Sequence, residues 1–151
     1  MASKIILQLK GFDELFEQIQ RAGGSIDSAA KSCIQRSAQI MQTELKAQMQ
    51  AAGVKSTLIG RMPPPKITVE GNRCSAEVGY EKGEFDPRNP SDAYKVIFLN
   101  YGTPRRTMHG KVEARGFIQK AKKKARPQIK NAQRETLDEI LRGLPHEAKT
   151  D

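Results

Sequence analysis

The chain contains no tryptophan, two histidines, two cysteines and few aromatic residues. Each scarcity excludes something. His109 lies in a basic stretch and His146 in a polar tail, and neither shares zinc-ligand spacing with Cys33 or Cys74. Two cysteines in 151 residues do not make a disulfide framework, so free thiols in a protein made inside a cell are expected. Neither Gly-x-Ser-x-Gly nor a phosphate-cradling glycine loop is present. Glu70, Glu77, Glu81 and Glu84 read as strand-edge and loop acids, not as paired catalytic carboxylates. Cys74 has no base placed near it. The expectation is a protein with no catalytic residues, no cofactor and no metal. Apolar runs are only a few residues long, too short to span a bilayer. Met1 to Lys10 is too short and too polar for a signal peptide.

What the chain does have is positive charge. Lys and Arg total 26 against 17 acids, a net charge of +9, with 37% hydrophobic and 28% charged residues. That balance favours an anionic partner, either nucleic acid or an acidic protein surface. The charge is localised. Between Gly102 and Arg134 eleven bases face one acid, Glu113, so this stretch holds +10 and the remaining 118 residues hold −1. Gathered on one surface it would form a local positive field; otherwise it is the solvated face of a lysine-rich helix.

Length predicts one domain over residues 1–142 with a polar tail at 143–151. Ile5, Leu7 and Leu9 alternate with Ile6, Gln8 and Lys10, a short strand with one apolar face. Phe12, Leu15, Phe16 and Ile19 follow at helical spacing, with Asp13 and Glu14 in the first turn, until Gly23-Gly24. Ser25 is a candidate N-cap for a second helix, whose stripe runs from Ile26 through Ala30, Cys33, Ile34, Ala38, Met41, Leu45 and Met49. Small residues there permit close packing, and methionines fill irregular gaps. Gly53 to Pro65 reads as a loop.

Ile67 and Val69, a Gly71-Asn72 turn, then Cys74, Ala76, Val78 and Tyr80 predict a hairpin with one buried face. Glu81 to Ala93 reads as a long exposed loop. Tyr94 to Tyr101 is apolar on both sides and is expected to be a central strand. Thr103 to Gly116 is irregular and basic, and Phe117 opens a last helix to about Arg142, with a bend expected near Ala125 to Gln128 because of Pro127. The fold class expected is α+β: an antiparallel sheet of about four strands, packed by a long helix from the N-terminal half and a kinked C-terminal helix.

The stretch Tyr94 to Ala121 runs from Tyr101-Gly102-Thr103 through a basic loop to Ala114-Arg115-Gly116-Phe117-Ile118. It resembles the head–tail joining and tail-completion proteins of long-tailed bacteriophages, the family that includes the lambda-type tail protein Z. Gly11-Phe12-Asp13-Glu14-Leu15, the long Ala-rich helix and Gly60-Arg61-Met62 before a hairpin agree in order, over residues 4–142. The family's acid before aromatic-Gly-Thr is Asn100 here, and the proline of its Ala-Arg-Pro-Phe is Gly116.

The resemblance implies a structural protein of the virion neck, made in the bacterial host cytoplasm. It would form a six-membered ring that completes the tail and joins it to the filled head, beside neck and tail-tube proteins. Tyr101, Gly102, Thr103 and Phe117 are its structural motif. Arg105, Arg106, Lys111 and Arg115, with Glu84 and Asp86 on the other long loop, are candidate interface residues, pairing base to acid around a ring. Lys120, Lys122, Lys123, Lys124 and Arg126 are candidates to face passing DNA. The alternative is a nucleic-acid-binding protein that uses residues 102–134 directly, although Phe117 is the sole aromatic there to stack on a base.

Overall fold

The computed structural model describes residues 3–70, 73–83, 85–103 and 112–144. In order these form β1 (Lys4–Gln8), α1 (Asp13–Arg21), α2 (Ile26–Ala51), α3 (Ser56–Gly60), β2 (Lys66–Glu70), β3 (Arg73–Gly79), α4 (Asp92–Tyr101) and α5 (Phe117–Gly143). The class is α+β. The strands make one antiparallel sheet in the order β1-β3-β2, with Ile5 opposite Val78, and Ile67 opposite Ala76.

Period-two alternation sends Ile5, Cys74, Ala76 and Val78 inward, where they meet the buried stripe of α2 and the first half of α5. The stripe of α2 is buried as its spacing requires. Ser25 caps the helix, its hydroxyl accepting from the Ser28 N–H at 3.3 Å. A smaller cluster of Phe12, Ile19, Ala29, Cys33 and Leu137 closes the far end of the domain. The most extensive contact is between α2 and α5, where Ala29 and Ala38 on one helix and Ala121, Ala125 and Ala132 on the other are all buried. A polar loop fixes their register. Gln133 Nε2 donates to Ser37 Oγ at 3.1 Å, Ser37 Oγ to the Cys33 carbonyl at 2.8 Å, and Cys33 Sγ to the Gln133 carbonyl at 3.6 Å.

Three expectations are corrected. Tyr94 to Tyr101 is helix α4, not a central strand. Its buried residues Ala93, Val96, Ile97 and Asn100 fall at i, i+3, i+4 and i+7, and an apolar run of this length fits either period. The sheet consequently has three strands rather than four among the described residues. The loop from Gly53 to Pro65 contains α3, with Val54, Leu58 and Met62 buried at four-residue intervals. Helix α5 runs unbroken from Phe117 to Gly143, with Pro127 inside it. That proline is exposed, so water can serve the carbonyl left without a partner N–H.

Candidate functional site

The motif that carries the resemblance folds into the junction between α4 and α5. Gly102 ends α4 with φ 77°, its N–H donating to the Phe98 carbonyl at 2.8 Å. A side chain is excluded there, because a Cβ would lie 2.8 Å from Ala114 N and 2.9 Å from the Val112 carbonyl oxygen. Thr103 then makes a two-bond clasp. Its N–H donates to the Val112 carbonyl at 2.8 Å, and its hydroxyl accepts from the Val112 N–H at 2.8 Å. The chain therefore leaves for residues 104–111 and returns from them at a single point.

Two carbonyls at the end of α4 are served by the returning chain. Leu99 accepts from the Arg115 N–H and Asn100 from the Gly116 N–H, both at 3.0 Å. The side chain of Asn100, 1% exposed, caps α5: its Oδ1 accepts from the Ile118 N–H at 2.8 Å, while its buried Nδ2 has no partner among the described residues. Gly116 stands in the left-handed region at φ 61°. Proline could neither take that angle nor donate that N–H, so the residue found here suits the junction as built. Phe117 follows, fully buried in the main core.

The sequence-derived site residues separate into groups. Tyr101 is half-buried, and Gly102, Thr103 and Phe117 are buried. Arg115 is exposed but engaged, its Nη1 donating at 3.1 Å to the Ala52 carbonyl at the C-terminal end of α2, where the helix dipole is negative. Asp86 is exposed and accepts from the Arg88 N–H at 2.9 Å, organising its own turn. Arg105, Arg106, Lys111 and Glu84 lie outside the described residues.

The basic helix does not present one face. Advancing 100° per residue, Lys122 and Arg126 fall on the flank beside β1, and Lys124 on the opposite flank, 3.8 Å from Glu44 of α2. Lys120 and Lys123 point away from the core between those flanks. All five are exposed.

Sequence reasoning missed a cleft beside the junction, of about 510 Å³, between α3 and α4. Val54, Leu58, Phe98 and Leu99 give it an apolar floor, and Lys55, Arg61, Lys95 and Arg115 stand on its rim. Arg61 holds Asp92 through two bonds of 2.9 and 3.0 Å. That fork keeps the Asp92 carboxyl below its ordinary pKa. Phe85, half-exposed, meets Tyr94 at a tilt and Phe98 edge-on, with ring centroids 4.9 and 6.0 Å apart.

Both cysteines are unpaired and buried. Burial pushes the Cys33 thiol up to about 12 and raises Cys74 as well, which makes them poor nucleophiles. Among the described residues no three His, Cys, Asp or Glu side chains gather where a metal could sit, and no helix is long and apolar enough to cross a membrane.

No family model, no curated protein and no solved structure matches the chain.

Proposed function

We propose that this is a non-enzymatic virion assembly protein of the phage neck, one subunit of a ring that completes the tail and joins it to the DNA-filled head. The observation that carries this reading is the α4–α5 junction. Arg105, Arg106 and Lys111 belong to a segment whose two ends are pinned together by the Thr103–Val112 clasp. The base of that clasp is tied in turn to the ends of α4, α5 and α2. A buried, bonded base of this kind suits a segment that must meet a neighbour at a fixed place on the subunit. Small ring subunits associate head to tail, each offering one surface to a different surface of the next. Asp86 on the loop before α4 and the basic segment after it are complementary in charge.

Deletion of the gene from its parent phage or prophage tests the reading. Filled heads beside separate tails in electron micrographs of the lysate are expected, and intact infectious particles would overturn it.

A second reading, direct binding of nucleic acid, is favoured by the exposure of Lys120, Lys122, Lys123, Lys124 and Arg126. The burial of Phe117 counts against it, since the basic stretch then offers no aromatic on which a base could stack. Affinity for DNA falling steeply with salt would support this second reading.

A further inference from the structure

A groove of about 370 Å³ separates β1 from α5. One wall is an edge of the sheet, because among the described residues β1 pairs with β3 alone. The N–H of Tyr80 donates to the Ser3 carbonyl and that of Leu9 to the Cys74 carbonyl, so odd-numbered positions spend their backbone groups on β3. The antiparallel alternation then turns the N–H and C=O of Lys4, Ile6 and Gln8 away from β3, with Ile6 and Gln8 lining the groove. This edge is poorly guarded: Ile6 is 59% exposed, the most exposed large apolar side chain described. The floor is apolar, formed by Met41 and Ile129.

The other wall is cationic. Lys122, Arg126 and Lys130 line it at i, i+4 and i+8 on one flank of α5. Four helical residues rise about 6 Å and two strand residues about 6.6 Å, so successive cations keep step with every second residue of an extended chain. The walls also agree in length. The four rises of β1 from Lys4 to Gln8 span about 13 Å, and the eight helical rises from Lys122 to Lys130 about 12 Å.

We propose that this groove takes an extended segment of a partner protein as a fourth strand, with carboxylates at alternate positions facing Lys122, Arg126 and Lys130. Main-chain bonds to Lys4, Ile6 and Gln8 would supply affinity, and the cation row would select acids in that register. A nucleic acid strand fits less well. It cannot satisfy a row of alternating amide donors and acceptors, and no aromatic lines the groove to stack on its bases. The inference stands whether or not the partner belongs to a virion.

The test is a titration of the isotope-labelled protein, at low salt, with a short capped peptide that alternates glutamate and threonine. The amide resonances of Lys4, Ile6 and Gln8 are expected to shift together. A peptide N-methylated on alternate amides should lose binding, and one with glutamine for glutamate should bind about tenfold more weakly. The double variant Arg126→Glu, Lys130→Glu should lose about tenfold in affinity with an unchanged circular dichroism spectrum. Equal binding of the N-methylated peptide, or no shift with the unmodified one, overturns the proposal. So do shifts that follow protein concentration alone, which would make a second copy the occupant, and stronger shifts of the same amides by an oligothymidylate. A normal phage after gene deletion would remove the neck reading and leave the peptide result intact.

Discussion

The side-chain oxygen of Asn100, at the end of α4, accepts the N–H of Ile118 in the first turn of α5 at 2.8 Å. One buried amide thus joins two helices across the segment that carries Arg105, Arg106 and Lys111. Asn100→Ala removes that cap and leaves an orphaned donor inside the protein. The expected cost is about 1–2 kcal/mol in urea unfolding. A loss within about 0.5 kcal/mol, the range of ordinary surface changes, would mean that water replaces the cap.

Gly116 next to it separates conformation from packing. A Cβ there would meet nothing nearer than Gln119 Oε1 at 4.0 Å, so Gly116→Ala is charged only with the left-handed backbone, about 1–2 kcal/mol. Gly116→Pro cannot hold φ 61° and also loses the bond to the Asn100 carbonyl; a cost of about 3 kcal/mol or more is expected. Equal midpoints for the two variants would contradict this account.

Two phenylalanines should behave oppositely. Phe117 is fully buried, and Phe117→Ala should cost about 3–5 kcal/mol. Phe85 is 49% exposed, so truncating it should cost well under that, about 1 kcal/mol through its contacts with Tyr94 and Phe98. Denaturant midpoints of the two variants decide.

Alkaline pH should weaken the fold. Cys33 and Tyr80 are both pushed up to about 12, chiefly by burial, from ordinary values of 9.0 and 10.0. Above about pH 9 the unfolded chain releases protons that the folded one keeps, so stability declines as pH rises towards 12. The slope steepens above pH 10, where Tyr80 joins. Asp92 acts at the other end: held below its ordinary 3.8 by Arg61, it contributes stability above that value that is lost as pH falls through its folded pKa. Urea midpoints across pH measure both arms. A flat alkaline arm would show that these groups are solvated.

On the neck role proposed above, replacing Arg105, Arg106 and Lys111 together by alanine should leave the circular dichroism spectrum and thermal midpoint unchanged while blocking head–tail joining. Normal infectious yield from the triple variant would exclude these side chains from the contact.

Much of the architecture was legible because single-element periodicity carries it. The stripe of α2, the hairpin pairing and the opening of α5 at Phe117 follow from spacing and from Ser25 as a cap. Tyr94 to Tyr101 was not legible as a helix, because a run apolar on both sides satisfies a buried strand and a buried helix equally. From the sequence Arg115 is a candidate interface residue with no partner assigned. Only the fold brings the end of α2 beneath it.

By itself the sequence determined the charge, its concentration between Gly102 and Arg134, and the two periodicities that sort residues into core and surface. These are local properties, fixed by neighbours within a few residues. Tertiary structure decided the rest. It set Asn100 over the start of α5, closed Thr103 onto Val112, left β1 at an edge of the sheet among the described residues, and brought Lys122 and Arg126 beside β1 and Lys124 beside Glu44. Those outcomes depend on which distant backbone groups meet, and pairing between residues far apart in sequence leaves no period to read.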